Sequence, residues 1–588
     1  MEAYKKEYLK WTTDELFDDN TKKELLSIKD EKEIEDRFYK QLSFGTGGLR
    51  GIIGAGTNRM NYYTVGKATQ GLANFINSKV SNGSVAIAYD SRRMSKEFAL
   101  DSALILAGNG IKAYLFEDLR PTPELSFAIN QLKTTSGIVI TASHNPPEYN
   151  GYKVYWSDGA QVVAPYDKLI IQEVNNVTDY RDVKRISKEQ ATEKGLLEII
   201  GKEIDDLYIA QLKKQVLNPE VIKRMAKDIK IVYSPFCGTG KMPVLRMLKE
   251  LGFENVWTVK EQIEPNGDFP TLEYPNPEDP NAFKLALKLA NEVGADIVMA
   301  TDPDADRLGI YALDKATGEY LPFTGNMSGL LIAEYVLSQK REKGLLPKNA
   351  KDGALITTIV SSNMAHAIAN EYGLTVFEVL TGFKYIGEKI KEFLKATEEN
   401  GGKLDASKGA FEYLFGYEES YGCLVGTHAR DKDAIMAVTC LSEAAAYYKS
   451  KGLTLVDQMQ NMYEKYGYYR EGMYTKVLKG LNGVKMINGI MNTLRQNPPT
   501  HIGEDKILVV KDYLTSQYRN LITGENGKID LPVSDVLYYE LENSGWCCVR
   551  PSGTEPKIKF YFGIKAEDKI SADKKVEEKK KALANLTN

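Results

Sequence analysis

The sequence is poor in the residues and runs that mark several common classes of protein. Its 588 residues include five cysteines, none with the spacing of a metal site: Cys237, Cys423, Cys440, Cys547 and Cys548. So few scattered cysteines favour reduced thiols, so we expect a cytoplasmic protein without a disulfide framework. No apolar run approaches a membrane span of roughly 20 residues. The opening stretch "MEAYKKEYLKWTTDELFDDN" lacks the apolar core of a signal peptide, so no membrane association is expected.

An excess of charge of one sign is also missing. Asp and Glu number 80 and Lys and Arg number 76, which gives a formal net charge of −4. This balance provides no electrostatic footprint for nucleic acid, and we expect none as a partner. Hydrophobic residues make up 43% of the chain, which is typical of globular domains rather than disordered chains.

Strand-like and helix-like runs alternate over most of the chain. "SVAIAY" (84–89), "IKAYLF" and "SGIVI" are separated by helix-like segments, and the same order starts again near residues 229 and 353. Such alternation predicts α/β domains with mainly parallel sheets. The last part has several strands with little helix between them and ends in the charged helix "SADKKVEEKKKALANL", which predicts a smaller α+β domain.

The predicted fold class is therefore α/β. We expect three tandem mixed-sheet α/β domains and a smaller C-terminal α+β domain, arranged around a central cleft. The predicted boundaries are 1–205, 206–322, 323–455 and 456–588. The three α/β domains look like architectural repeats, although no residue-level repeat is evident.

The stretch "TASHNPPEYNG" (141–151) follows the strand "SGIVI" directly. Ligands of α/β proteins bind beyond the carboxyl ends of parallel strands, and Ser143 lies just past such an end. Pro146 and Pro147 stiffen the chain after it, and Lys153 follows closely enough to fold back beside the serine. His144 is the one histidine of four that lies in a motif, and a Ser-His-Asp triad with Ser143 is not expected, because neighbouring side chains on an extended strand point apart. An ordinary turn is the competing interpretation, since Ser, Asn and Pro are turn residues.

Three aspartates alternate in "TDPDADR" (301–307), directly after the strand "DIVMA". Asp302, Asp304 and Asp306 would repel one another on one side of an extended chain unless a cation lies between them. All-oxygen ligation suits Mg²⁺ or Ca²⁺. An EF-hand is excluded because Arg307 and Leu313 occupy the positions of its glycine and its final glutamate. An exposed acidic turn remains the alternative.

Two further motifs carry polar groups. In "VRPSGTEPK" (549–557), Arg550 and the loop after it can converge on one phosphate, although a plain turn between strands explains the same residues. In "FGYEESYG" (415–422), Glu418 and Ser420 can bind sugar hydroxyls, although paired glutamates are usually solvated.

These four motifs together resemble the α-D-phosphohexomutase family, over roughly residues 40–565 and in the family's order. The segments "FGTGGLRG" (44–51), "AYDSRRMS" (88–95), "TGFKYIG" (381–387) and "ARDKDA" (429–434) belong to the same resemblance. The most similar branch is that of bacterial phosphoglucomutases, which is similar to the phosphopentomutase-like mutases of eukaryotes. The implied activity interconverts glucose 1-phosphate and glucose 6-phosphate through a phosphoserine enzyme and a glucose 1,6-bisphosphate intermediate.

The resemblance also implies roles for single residues. Ser143 would carry the phosphate and share one Mg²⁺ with Asp302, Asp304 and Asp306, while Lys153 matches the family's general acid/base. Arg50 and His144 would belong to the same catalytic group. The implied substrate-binding set is Arg307, Thr381, Gly382, Phe383, Lys384, Glu418, Ser420, Lys432, Arg550, Ser552, Gly553 and Thr554.

The sugar loop departs from some family members. Branches that handle mannose or glucosamine tend to read Glu-Met-Ser-Gly-His or Glu-Gln-Ser-Gly-His, whereas Tyr421 and Gly422 follow Ser420 here. This difference favours glucose and leaves the second general acid/base unassigned, with Lys432 as a stand-in.

Other functions remain open at this point. A phosphopentomutase or a broader phosphohexomutase acting on mannose phosphates needs the same parts. A non-catalytic sugar-phosphate sensor need not keep Ser143, and a Mg²⁺ phosphatase would admit the water that a mutase excludes. The expected partners are sugar phosphates, with glucose 1,6-bisphosphate as activator, and the expected assembly is a monomer or homodimer.

Overall fold

The computed structural model describes residues 2–45, 47–478, 480–551 and 557–586. The chain divides into two compact units. The first unit comprises Met1–Phe323, Ile386–Lys395 and Tyr421–Thr454. The second comprises Thr324–Tyr385, Ala396–Ser420 and Leu455–Asn588. The four domain boundaries given above stay a prediction.

Three short helices open the first unit: α1 (Ala3–Thr13), α2 (Asp19–Ser27) and α3 (Glu31–Phe38). Their apolar sides share a small core of Trp11, Phe17, Leu25 and Phe38, all nearly inaccessible to solvent. The rings of Trp11 and Phe17 stack with their centroids 4.3 Å apart.

A six-stranded sheet follows. Its region contains β1 (Gly48–Ile52), α4 (Tyr62–Lys79), β2 (Ser84–Tyr89), α5 (Ser95–Gly108), β3 (Lys112–Phe116), α6 (Thr122–Leu132), β4 (Ser136–Ile140), β5 (Tyr149–Trp156), α7 (Tyr166–Asn176), α8 (Lys188–Glu193) and β6 (Leu197–Ile200). The strand order is β1-β5-β4-β2-β3-β6, and only β5 runs against its neighbours. Helix α4 begins with a capping box in which Asn61 and Thr64 satisfy each other's backbone N–H groups.

A five-stranded sheet completes the series of the first unit. Its region contains α9 (Lys202–Lys213), α10 (Pro219–Met225), β7 (Lys230–Ser234), α11 (Lys241–Leu251), β8 (Asn255–Thr258), α12 (Lys284–Val293), β9 (Ile297–Thr301), β10 (Leu308–Leu313) and β11 (Tyr320–Phe323). The order is β11-β10-β9-β7-β8, in which β7, β8 and β9 are parallel. Strand β9 is fully buried, as its unbroken apolar run predicts.

The next region contains α13 (Gly325–Glu342), β12 (Gly353–Thr358), α14 (Met364–Tyr372), β13 (Thr375–Val379), α15 (Phe383–Glu399), β14 (Glu412–Glu418), β15 (Gly422–Leu424) and α16 (Ala434–Ser450). In the second unit, β12 pairs in parallel with β13 on one side and β14 on the other. Strand β15 and helix α16 belong to the first unit.

The remaining part of the second unit is an antiparallel sheet with two long helices. It contains α17 (Leu455–Tyr466), β16 (Tyr468–Val477), α18 (Gly480–Gln496), β17 (His501–Ile502), β18 (Asp505–Asp512), β19 (Gln517–Asn520), β20 (Asn526–Lys528), β21 (Leu537–Leu541), β22 (Trp546–Pro551), β23 (Lys557–Ala566) and α19 (Lys569–Asn585). The order is β16-β23-β22-β21-β18-β19-β20, with β17 paired to β18.

The predicted fold class is confirmed: the chain is mixed α/β with several mixed sheets and a β-rich C-terminal part. The five cysteines are buried as free thiols. Among the described residues, no helix is both long enough and apolar enough to cross a membrane.

Candidate active site

Ser143 lies in the loop that follows β4, at the carboxyl edge of the first sheet. It is 3% exposed, and its backbone has a φ of 51°, in the left-handed region. Its N–H donates to Oγ1 of Thr141 at 2.8 Å, and its Oγ donates to Oδ2 of Asp302 at 2.5 Å. The loop therefore presents the serine hydroxyl directly to the loop that follows β9.

A buried arginine holds this serine loop by its backbone. The guanidinium of Arg92 donates to four carbonyl oxygens, those of Ser143, Asn145, Pro146 and Tyr149. Asp90 pairs with Arg92 at 3.4 Å, and its carboxylate also accepts from Oγ1 of Thr141 at 2.6 Å. The sequence motif "AYDSRRMS" contains both residues, but nothing in its pattern revealed that Arg92 reaches over fifty positions along the chain.

The three aspartates of the second loop are buried together. Asp302 and Asp304 are fully inaccessible and Asp306 is 3% exposed, and carboxylate oxygens from all three lie within 4.8 Å of one another. The backbone N–H groups of Asp306 and Arg307 donate to Oδ1 of Asp302, which fixes the turn. Burial, together with the charges of Asp304 and Asp306, raises the pKa of Asp302 well above its usual value.

This donor set fits a small divalent cation. Hard cations such as Mg²⁺ prefer carboxylate oxygens, and buried carboxylate oxygens rarely go without a partner. Oδ1 of Asp304 and Oδ1 of Asp306 are both buried and have no hydrogen-bond partner in the described part of the chain. The two oxygens are therefore available as ligands.

Two lysines from distant segments compensate the carboxylates. Nζ of Lys153, on β5, lies 2.8 Å from Oδ2 of Asp304 and 3.8 Å from Oδ2 of Asp306. Nζ of Lys432 lies 3.1 Å from Oδ2 of Asp306. Burial alone would lower the pKa of Lys153, but the charges of Asp304 and Asp306 outweigh it and raise that pKa. Lys153 is accordingly an ammonium ion at neutral pH.

Besides Lys153, a threonine side chain also donates a hydrogen bond to Asp304. Oγ1 of Thr122, the first residue of α6, donates to its Oδ2 at 3.0 Å. Burial would raise the pKa of Asp304, but the charge of Lys153 and the hydrogen bonds from Lys153 and Thr122 lower it. Thr122 was not anticipated from the sequence, since it lies 182 residues away from Asp304.

Two further predicted residues, both arginines, lie near this cluster. Nη1 of Arg50, on β1, donates to Oδ1 of Asn145 at 3.0 Å. Arg307 pairs through Nη1 with Glu278 at 2.8 Å, and its Nε lies 3.9 Å from Oδ1 of Asp306. Both arginines are therefore close enough to add positive charge beside the serine and the aspartates.

His144 contacts the serine, contrary to the expectation that neighbouring side chains point apart. Nδ1 of His144 lies 3.2 Å from Oγ of Ser143. The expectation assumed an extended strand, whereas the left-handed backbone of Ser143 turns both side chains to the same side. Burial, together with the charges of Arg307 and Arg50, lowers the pKa of His144 well below its usual value, so the ring is neutral.

The predicted sugar-binding residues lie in the second unit at one edge of a sheet. Thr381, Gly382, Phe383 and Lys384 follow β13, and Glu418 is the last residue of β14. Because β13 and β14 both run parallel to β12, their carboxyl ends meet at the same edge. Oγ of Ser420 donates to Oε1 of Glu418 at 2.8 Å, which orients a carboxylate that is only 4% exposed.

Glu419 is a neighbour of this pair that the sequence did not single out. Oγ1 of Thr358, at the end of β12, donates to its Oε2 at 2.9 Å. Burial and the charge of Glu418 raise the pKa of Glu419 to about 7, and the charge of Arg550 opposes the shift. Arg550, on β22, thus lies near the edge that carries the sugar residues, while the predicted Ser552, Gly553 and Thr554 lie outside the described residues.

Comparison with known proteins identifies the chain's relatives. Three family models, described as phosphoglucomutase/phosphomannomutase α/β/α domains I, II and III, match residues 41–181, 206–315 and 324–466. A phosphoglucomutase of Staphylococcus aureus (strain MRSA252) is 37% identical over 541 residues, 92% of either chain. One of Staphylococcus haemolyticus is 36% identical over 542 residues, 92% of this chain and 93% of the relative.

Solved structures share the fold. Parafusin, a phosphoglucomutase from Paramecium in its open form, superposes with a TM-score of 0.65 at 17% identity, over 93% of this chain and 95% of the other. A phosphoglucomutase/phosphomannomutase family protein from Burkholderia thailandensis gives 0.62 at 18% identity, over 93% and 98%. The chain therefore belongs to the phosphoglucomutase/phosphomannomutase family of α-D-phosphohexomutases and is an isomerase that works by phosphoryl transfer.

Proposed function

We propose that the protein interconverts glucose 1-phosphate and glucose 6-phosphate through phosphorylated Ser143 and a glucose 1,6-bisphosphate intermediate. The observation that carries the proposal is the contact of a buried serine hydroxyl with the aspartate cluster, Oγ of Ser143 to Asp302 at 2.5 Å. The phosphoglucomutase name of the curated relatives, at 36% and 37% identity over nearly the whole chain, supports glucose as the sugar.

The proposed reaction has two transfers. The phosphoryl group of phospho-Ser143 first moves to the 6-hydroxyl of glucose 1-phosphate: the P–O bond to Oγ breaks, a P–O bond to the sugar oxygen forms, and the hydroxyl loses its proton to a base. Oγ takes up a proton, for which we assign Lys153 as donor. The bisphosphate then presents its 1-phosphate: the P–O bond to the sugar O1 breaks, a P–O bond to Oγ forms as Oγ gives its proton back to Lys153, O1 takes up the proton held by the base, and glucose 6-phosphate leaves.

Charge compensation is the main demand of this chemistry. A phosphoserine carries about −1.5 to −2 charges, and phosphoryl transfer depends chiefly on positioning and on stabilising charge. Asp302, Asp304 and Asp306 would hold Mg²⁺ together with a phosphate oxygen on Ser143, and the ion would supply further positive charge. Around them, Arg50 and Arg307 would bind phosphate oxygens. Lys432 would bind the phosphate of the substrate, and it is also our candidate for the second general acid/base, since no histidine occupies that position in the sugar loop. His144, neutral and beside Oγ, would orient the serine.

The second unit supplies the proposed sugar and phosphate ligands. Glu418 and Ser420 would bind ring hydroxyls, and the loop Thr381–Lys384 would orient the sugar. Arg550, with Ser552, Gly553 and Thr554, would hold the phosphate that is not being transferred. Since the intermediate carries phosphate at both ends, this clamp must accept either one.

Mannose phosphates are the second candidate substrates, because the matching family models name phosphomannomutases as well. Turnover of glucose 1-phosphate, mannose 1-phosphate and ribose 1-phosphate, measured side by side with bisphosphate activator, decides among them. A cytoplasmic location, supported by the five reduced cysteines, and a monomeric or homodimeric state also remain proposals.

Ser143→Ala is expected to abolish turnover, because Oγ of Ser143 is the atom that carries the phosphoryl group. Intact-mass and peptide mass spectrometry of active wild-type protein should find one phosphate, on Ser143. Ser187→Ala, which removes an exposed hydroxyl at the start of α8, should change neither result. A stoichiometric phosphate elsewhere, or full activity in Ser143→Ala, would contradict the assignment.

Removal of the metal with excess EDTA should stop turnover, and Mg²⁺ should restore it. Asp304→Asn should weaken Mg²⁺ binding and remove nearly all activity, since the amide keeps the shape but loses the charge. The matched control is Asp314→Asn, in an exposed turn after β10. Undiminished turnover in EDTA would mean that the cluster holds no catalytic metal.

Arg92→Lys should slow the phosphorylation of Ser143 by glucose 1,6-bisphosphate at least tenfold, because an ammonium cannot reproduce the planar fork that holds four carbonyl groups. Arg93→Lys is the control. The side chain of Arg93 is 59% exposed, and its guanidinium pairs with Asp268 at the surface. Phosphorylation of Ser143 at the wild-type rate in Arg92→Lys would show that the loop keeps its shape without the clamp.

Arg550→Ala should raise KM for glucose 1-phosphate and lower kcat, because remote binding energy also aligns the reacting groups. Charge-assisted hydrogen bonds contribute about 1.5–3 kcal/mol each, so we expect a loss in kcat/KM of roughly 10- to 1,000-fold. The kcat/KM of Arg550→Lys, which keeps the charge, should fall between the values of wild type and Arg550→Ala. A value within about twofold of wild type would remove Arg550 from the phosphate clamp.

A further inference from the structure

Strand β5 directs two side chains toward the aspartate cluster, the partly buried Lys153 and the buried Tyr155, and only Lys153 has a proposed role. Residues two apart on a strand share a face, so Tyr155 lies beside Lys153. Tyr155 is fully inaccessible, and its hydroxyl donates to Oδ2 of Asp431 at 2.7 Å. Burial, with the charge of Asp431, raises the pKa of Tyr155 well above its usual value, so the hydroxyl keeps its proton and remains a donor.

Asp431 connects this tyrosine to Lys432. Its Oδ1 accepts from the backbone N–H of Lys432 at 2.8 Å and from the ammonium of Lys432 at 3.2 Å. Burial would raise the pKa of Asp431, but the charges of Lys432 and Lys153 and the hydrogen bond from Tyr155 lower it. Asp431 is therefore an ionised carboxylate, held by the tyrosine and paired with the lysine.

The stem of Lys432 passes over a glycine. A Cβ added to Gly422, in β15, would lie 1.9 Å from Cδ and 2.7 Å from Cγ of Lys432. Any side chain at this position would push the lysine aside. The next residue, Asp433, caps helix α16 and receives hydrogen bonds from Tyr208 and His428, so the backbone on the other side of Lys432 is also fixed.

The ammonium of Lys432 thus lies between two carboxylates, Asp306 at 3.1 Å and Asp431 at 3.2 Å. Asp306 belongs to the cluster that can take a cation, whereas Asp431 does not. When Asp306 binds another positive charge, Asp431 remains a partner that holds the ammonium in place.

The geometry points to Tyr155, Asp431 and Gly422 as positioning residues that seat the Lys432 ammonium where it meets the phosphate of the substrate. The inference rests on the proposed function, in which Lys432 binds that phosphate. Tyr155 and Asp431 touch no substrate in this scheme and act only through the lysine.

The test compares two tyrosines of the same strand. Tyr155→Phe removes only the hydroxyl that holds Asp431. The control, Tyr152→Phe, removes an equally inaccessible hydroxyl that accepts a hydrogen bond from Thr69 at 3.2 Å, on the face of β5 opposite to Lys153 and Tyr155. Tyr155→Phe should raise KM for glucose 1-phosphate about tenfold, equivalent to about 1.4 kcal/mol, with kcat changed by less than threefold. Tyr152→Phe should keep both constants within about twofold.

A second comparison, made in the Lys432→Ala background, tests whether Tyr155 acts through Lys432. In that background, Tyr155→Phe should add less than a twofold effect, because non-additivity is expected when two residues act through one group. Asp431→Asn, which keeps the volume, serves as a second variant, and thermal unfolding of each protein establishes that it is folded. A Tyr155→Phe effect that persists undiminished in Lys432→Ala would overturn the inference.

A readout independent of turnover separates this inference from the proposed function. Brief acetylation of the intact enzyme with acetic anhydride, followed by peptide mass spectrometry, reports the accessibility of the Lys432 amine. Tyr155→Phe and Asp431→Asn should increase acetylation of Lys432 severalfold, while Tyr152→Phe should not. If wild type fails to convert glucose 1-phosphate, the proposed function is wrong. The labelling experiment still tests whether Tyr155 and Asp431 position the Lys432 ammonium. If the acetylation of Lys432 and KM both stay within twofold of wild type in Tyr155→Phe, Tyr155 does not position Lys432 and the inference is wrong.

Discussion

The structure of the candidate active site depends on keeping three buried carboxylates together beside Ser143, the serine that we propose carries the phosphate. Taking even one unpaired charge out of water is costly, and like charges at this distance repel. Ammonium groups of Lys153 and Lys432 relieve the repulsion, and they come from segments almost three hundred residues apart in sequence. The return of Tyr421–Thr454 to the first unit is what brings the second of these ammonium groups to Asp306. The path of the chain and the charge balance of the site are thus linked.

The serine itself is held in an unusual backbone conformation. A left-handed conformation costs an ordinary residue about 1–2 kcal/mol, and Ser143 keeps it because Thr141 and Arg92 hold the loop from both sides. Arg92 is in turn paired with Asp90, which also accepts from Thr141. The hydroxyl that faces Asp302 is therefore fixed by a buried network behind it.

The sequence predicted the parts of the site that are local and missed the parts that depend on tertiary convergence. An apolar strand that ends in polar residues identified Ser143 and the three aspartates, because strand ends are encoded by neighbouring residues. Tyr155 and Asp431 are 276 residues apart, and nothing in either segment marks the other. The contact of His144 with Ser143 was also missed, since it depends on one φ angle that the residue types do not determine. Glu419 stood inside a recognised motif but drew no attention, because its raised pKa comes from burial that the sequence does not display.

The distribution of groups between the units separates two tasks. The first unit contains the serine, the aspartates and both lysines, all of which we assign to the phosphoryl group in transfer. The second contains Glu418, Ser420 and Arg550, which suit hydroxyls and a second phosphate. A bisphosphate intermediate needs such a separation, because each of its ends must in turn meet the same serine. Groups that recognise charge rather than sugar shape, such as the fork of an arginine, can hold either end. Lys432 is one of the groups assigned to the phosphoryl group, and its position is set by Asp431, which lies outside the aspartate cluster. Because Asp431 lies outside the aspartate cluster, its contact with Lys432 would keep an ammonium beside the cluster whichever phosphate is being transferred.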